Sequence, residues 1–179
     1  MNTQRIVITG GPGTGKSSII NALLQRGKTC YEEVSRQVTL EARKSGVEQL
    51  FLTDPLLFSN LLLKARTDQF LDAKTETVNQ IFYDRGLPDV LAYMDFVNSA
   101  YPENFTSVCE QHVYDHIFIL APWKDIFVSD NERYENFEQA EQIHQQLIKT
   151  YKRFGYELLD IPFGTVSERT DFILNHTKL

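Results

Sequence analysis

Residues 10–17 read Gly-Gly-Pro-Gly-Thr-Gly-Lys-Ser and follow directly on the apolar run Ile6-Val7-Ile8. The pattern G-x-x-x-x-G-K-[ST] between a strand and a helix is a phosphate-binding loop. Its backbone N–H groups turn inward around phosphate oxygens, and glycines at its ends keep side chains out of the way. Lys16 is expected to reach the β- and γ-phosphates as a solvent-facing point charge, and Ser17 to offer its hydroxyl to Mg²⁺. The helix that opens here aims the positive end of its dipole at the same anion. The expected cradle is Gly11, Pro12, Gly13, Thr14, Gly15, Lys16, Ser17 and Ser18, and its ligand a nucleoside triphosphate.

Outward from this loop, the pattern predicts a buried strand over 5–9 and a helix over 17–26 with Ile19, Ile20, Leu23 and Leu24 on one side, stopped by Gly27. A second strand is expected over 28–31 and a helix over 33–44. Asp54 is placed to cap, and Pro55 to open, a helix that periodic Leu57, Leu61 and Leu62 carry to 73 across the sheet. Further strands are expected over 80–83, 114–120 and 156–161, and helices over 88–99, 102–110, 136–154 and 166–175. Strands alternating with helices predict an α/β fold, a parallel sheet covered on both faces with ligands at the carboxyl ends of its strands.

Of 179 residues, 42% are hydrophobic, including 12 Phe and 8 Tyr, enough for the core of one domain; 1–179 is expected to be a single nucleotide-binding unit. A net charge of −6 argues against general nucleic-acid binding, which recruits clustered Lys and Arg. Cys30 and Cys109 read as reduced, packed thiols. No apolar stretch approaches a membrane span and no leader pattern opens the sequence, so the expectation is a cytoplasmic protein. Its oligomeric state is left open.

Ile81-Phe82-Tyr83-Asp84 is an apolar strand ending in an acid, the Walker B arrangement that places a carboxylate for Mg²⁺. Arg85 follows at once, where its five-donor fork can hold an anionic group or organise a neighbouring carboxylate. Past the second strand, Glu33 is placed to accept the proton of, or orient, an attacking hydroxyl, or else to pair with Arg36 one helical turn on. Asp89 and Tyr93 follow Arg85 on one helix face and either line an acceptor pocket or pack the helix. The charged segment around Asp130 and Arg133 sits in a loop, about 122–135, in the position of a lid that would bring an arginine onto a transferring phosphate. Trp123 is left between stacking on a base and anchoring that lid.

Taken together, these residues resemble the NadR-like AAA domain, a branch of P-loop proteins related to nucleoside and nicotinamide-riboside kinases. The resemblance covers nearly the whole chain. It rests on the P-loop, Glu33-x-x-Arg36, the block Asp84-Arg85-Gly86-x-x-Asp89-x-x-Ala92-Tyr93, Asp130-x-x-Arg133 and Tyr151-x-x-x-Gly155-Tyr156. It implies ATP and Mg²⁺ binding and a three-layer P-loop sandwich whose five-stranded parallel sheet has the order 2-3-1-4-5. Lys16, Glu33, Asp84, Arg85 and Arg133 are the catalytic candidates, Ser17 and Asp84 the metal ligands, and Glu33, Arg36, Asp89 and Tyr93 the acceptor-side candidates. Two functions compete: a kinase transferring phosphate to a hydroxyl of a nucleoside- or riboside-like molecule, and a regulatory ATPase read by a partner. The guanine motif N-K-x-D is missing, and the nearest stretch, Trp123-Lys124-Asp125, has the wrong spacing.

Overall fold

The computed structural model describes residues 3–44, 46–47, 50–127 and 136–178. Five parallel strands, β1 (Gln4–Gly10), β2 (Thr29–Tyr31), β3 (Gln80–Asp84), β4 (His116–Leu120) and β5 (Leu158–Ile161), form one sheet in the order β2-β3-β1-β4-β5. This is the expected order. Strand periodicity sends alternate side chains to opposite faces. Ile6 and Ile8, Phe82, and Phe118 and Leu120 form one core with α1 (Lys16–Gln25) and α8 (Val166–His176), through Ile19, Ile20, Leu23 and Ile173. Val7, Ile81, Tyr83, Ile117 and Ile119 face the other way. There they meet α4 (Pro55–Asp72), α5 (Leu87–Phe96), α6 (Asn104–Gln111) and α7 (Phe137–Arg153).

Local chemistry starts these helices where it should. Asp54 accepts from the Leu57 N–H (2.9 Å) ahead of Pro55, and Asn136 and Gln139 form a reciprocal capping box at α7. Several boundaries differ from expectation. The helix expected over 33–44 is α2 (Ser35–Lys44), because the Glu33 side chain accepts from the Ser35 N–H (3.2 Å) and ends the extended segment first. A short α3 (Leu50–Thr53) was not expected. Tyr114 lies outside β4, its N–H donating to the Tyr156 hydroxyl (3.2 Å) and its own hydroxyl accepting from the Leu87 N–H (3.3 Å). α4 buries Leu62, Leu63 and Phe70 while Leu57 and Leu61 face out. Its apolar residues run all round, so periodicity alone did not select the inner face.

All five strands point their carboxyl ends to one edge. There the chain leaves β1 into the P-loop, β2 into Glu32-Glu33 and β3 into Arg85, around the point where the strand order switches sides of β1.

Candidate functional site

The P-loop bends where its sequence demands. Gly13 (φ 70°) and Gly15 (φ 80°) occupy the left-handed region. A Cβ on Gly13 would also stand 2.5 Å from the Phe127 ring, so both backbone and space call for glycine there. Beneath the loop, Arg169 of α8 is 2% exposed and donates to the Thr14 carbonyl (2.9 Å), which ties the cradle to the closing helix. Its guanidinium lies over Trp123 (5.7 Å), which stacks on Phe163 with ring centres 5.0 Å apart. Trp123 thus belongs to an aromatic stack beside the cradle.

Lys16 opens α1 and Asp84 ends β3, the strand hydrogen-bonded to β1. Their side chains form an ion pair in which Lys16 Nζ donates to Asp84 Oδ1. Lys16 is therefore not the solvent-facing charge expected from its place on a loop: it folds back on a carboxylate at the neighbouring strand tip and is 7% exposed. Burial lowers its pKa, the Arg85 charge adds to that, and Asp84 and Glu33 oppose it. The Ser17 and Ser18 side chains stand exposed at the helix start.

Glu33 is the centre of the opposite wall. Its Oε1 accepts from Arg66 Nη2 (3.0 Å) and its Oε2 pairs with Arg85 Nε (2.5 Å). Burial by itself would raise its pKa, but Arg66, Arg85 and Lys16 outweigh that and hold it at about 2. Among the described residues its ion partners are these two arginines; Arg36, the helical-turn partner considered from sequence, stands exposed at the mouth of the cleft with Glu32. Arg85 has φ 73°, a strained value for a residue with a side chain, kept by its N–H to Ile8 O (3.0 Å) and its Nη1 to Gly10 O (3.0 Å). Its guanidinium lies 5.4 Å from the centre of the half-buried Tyr93 ring.

Asp89 is completely buried. It accepts from Thr9 Oγ1 (2.5 Å), the Tyr151 hydroxyl (2.5 Å) and the Gly86 N–H (2.9 Å), and Arg85 Nη1 approaches at 3.4 Å. Of the two roles open to it, the structure has it in the packed one, holding β1, α5 and α7 together under Arg85.

These parts surround a cleft of about 480 Å³, within the range of small-molecule sites. The P-loop from Gly11 to Ser18 lines one side; Glu33, Arg36, Asp84 and Arg85 are among the residues that line the rest. Asp89 and Tyr93 stand behind Arg85. Asp130, Arg133 and most of the lid expected over 122–135 lie outside the described residues. Sequence reasoning missed Arg66 and Arg169. Arg169 shares the helical register of Ile173 and could have been read as facing inward, whereas α4 is apolar all round and carried no such signal for Arg66.

The family model described as AAA domain matches residues 5–169. The chain belongs to this AAA domain family. No curated protein matches it in sequence. Among solved structures, deoxyadenosine kinase from M. mycoides with dCMP and dCDP bound superposes with a TM-score of 0.69 at 18% identity, over 97% of this chain and 98% of that one. NadR protein in complex with NR gives 0.73 at 15% identity, over 98% of this chain and 52% of that one, so the AAA domain spans about half of NadR. Thymidylate kinase from Candida albicans gives 0.67 at 17% identity, over 97% and 90% of the two chains. At such identities the likeness is one of fold: the AAA domain here is a P-loop kinase-type α/β sandwich. Among the described residues no helix is long and apolar enough to cross a membrane.

Proposed function

We propose that this AAA domain is an ATP-dependent phosphotransferase that moves the γ-phosphate to a hydroxyl of a nucleoside- or riboside-like molecule. The observation that carries this reading is Glu33 on the wall facing the P-loop, with both buried arginines of that wall committed to carboxylates. A phosphorylated acceptor would have to rely on Arg36, exposed at the mouth of the cleft. A carboxylate with an open acceptor site suits an alcohol. The fold neighbours include kinases of a nucleoside and a protein complexed with NR, which supports the same acceptor class.

The donor side follows from the loop. The amides of residues 11–16 and the α1 N-terminus would receive the phosphates, and Lys16 would turn from Asp84 to the β/γ oxygens. Among the described residues no group of three or more His, Cys, Asp or Glu could hold a metal ion by protein side chains alone. Ser17 and Asp84, oxygen donors lining one cleft, are the side chains that would hold Mg²⁺ together with phosphate oxygens. Bound there, the ion would neutralise charge on the β- and γ-phosphates. Glu33 would orient the acceptor hydroxyl, Arg85 would fix Glu33, and Arg133 remains the lid candidate from sequence.

The test is ADP release from ATP with and without a panel of nucleosides, ribosides, sugars and nucleoside monophosphates. Release stimulated by an unphosphorylated acceptor is expected. Slow hydrolysis indifferent to every acceptor would instead identify a regulatory ATPase, and stimulation by monophosphates alone would overturn the alcohol acceptor.

A further inference from the structure

Arg66 is a charged residue buried in an apolar helix, 4% exposed, and sequence patterns gave it no role. Its Nη1 donates to Gly86 O (3.0 Å) and its Nη2 to Glu33 Oε1 (3.0 Å). Oε1 also receives the Ser35 N–H (3.2 Å), and Oε2 is paired with Arg85 Nε (2.5 Å). Each carboxylate oxygen has two acceptor sites. Oε1 is therefore full, and among the described residues Oε2 keeps one, on the carboxylate that lines the cleft. Through Gly86, Arg66 also ties down the residue next to the strained Arg85, so one guanidinium secures both halves of the Glu33–Arg85 pair.

We propose that Arg66 is a positioning residue: with Arg85 it keeps Glu33 charged and oriented, so that Glu33 accepts a hydrogen bond from the acceptor hydroxyl but does not carry its proton away. This rests on the kinase reading above. In that step the hydroxyl oxygen forms a bond to Pγ as the bond from Pγ to the β-phosphate oxygen breaks. ADP leaves, and the proton passes from the new phosphate ester to water. A late proton loss suits phosphoryl transfer, whose loose transition state needs little nucleophile activation. The charged groups around Glu33 are Arg66 from α4, Asp84 and Arg85 from the β3 end, Lys16 from α1, and Glu32 and Arg36 from its own segment. Three of these cations outweigh the effect of burial and hold its pKa at about 2, too acidic for an effective base near neutrality.

Two measurements separate this role from plain structural support. The first is the titration of the Glu33 carboxyl followed by carbon NMR in the full chain, which needs no acceptor. Arg66→Gln is expected to raise its midpoint by about one unit or more, as loss of a close opposite charge does. Arg66→Lys, which keeps the charge but cannot fork to two partners, is expected to shift it less. The second is steady-state kinetics with the acceptor found above. Arg66→Gln should lower acceptor kcat/KM about tenfold or more while ATP affinity changes within about twofold. In a Glu33→Gln background the same change should cost little further, because the residue acts through Glu33. An unmoved Glu33 titration in folded Arg66→Gln, or losses that simply multiply in the double variant, would overturn the proposal. Should Arg66→Gln not fold, Arg66→Lys decides by the kinetics: a loss of acceptor kcat/KM that disappears in the Glu33→Gln background is expected, and a loss that multiplies there would overturn the proposal. If the parent transfers to no acceptor, the kinase reading fails while the titration still judges Arg66.

Discussion

Lys16 Nζ and Asp84 Oδ1, 68 residues apart in sequence, are joined as an ion pair at the carboxyl edge of the sheet. The residue proposed for phosphate and the residue proposed for metal thus neutralise each other across the β1–β3 junction, and under the proposed function loading the cleft would exchange that pair for phosphate and Mg²⁺. Lys16→Ala should abolish productive triphosphate binding. It should also cost stability, about 3 kcal/mol, because it strands a buried carboxylate. Urea unfolding and titration with a fluorescent ATP analogue measure both; unchanged affinity in the folded variant would remove the P-loop assignment.

Asp84→Asn keeps the shape and loses the charge. Turnover is expected to fall at least about tenfold, with a higher Mg²⁺ requirement, since an amide is a poorer ligand for a hard cation. A Mg²⁺ titration identical to the parent's would leave Asp84 as the partner of Lys16 and nothing more.

The buried Asp89 makes a prediction about the scaffold. Asp89→Ala leaves Thr9 Oγ1, the Tyr151 hydroxyl and the Gly86 N–H without their acceptor. Stranded buried donors cost about 1–3 kcal/mol each before relaxation, so a loss of about 3 kcal/mol is expected, against about 1 for Tyr151→Phe. Equal small effects in urea unfolding would show that the cluster contributes little to the fold.

Acid should act through Glu33. Its pKa falls from the ordinary 4.5 to about 2 in the folded chain, where Arg66, Arg85 and Lys16 outweigh the opposing effect of burial. A depressed carboxyl stabilises the fold in full above its unfolded value, and that contribution is lost as pH falls from 4.5 toward about 2. Urea midpoints measured downward from about pH 6 should decline more steeply for the parent than for Glu33→Gln. Parallel declines would mean that Glu33 is no more acidic folded than unfolded.

The fold was legible because its signals are local. Apolar runs of strand length, a glycine loop opening a helix, and the Asp54-Pro55 start each declare themselves within a few residues. The sheet order followed from the family resemblance, and β1 alternates its side chains as a strand between two layers must. The cleft was legible in part: the P-loop, Glu33, Arg36, Asp84 and Arg85 come together in it. What escaped depends on partners far along the chain. Arg66 reaches Glu33 across 33 residues, Arg169 reaches Thr14 across 155, and the buried Lys16 finds its partner in Asp84 on the next strand, 68 residues away. No local pattern encodes such meetings, although helical register places Arg169 with the inward-facing Ile173.

The most direct test of the central claim is phosphorus NMR of a mixture of protein, ATP, Mg²⁺ and a nucleoside or riboside shown to stimulate ADP release. The expected spectrum gains a phosphomonoester resonance in step with ADP, with inorganic phosphate a minor product, and loses both gains in Lys16→Ala. Inorganic phosphate rising in step with ADP and no new ester would contradict transfer to a hydroxyl.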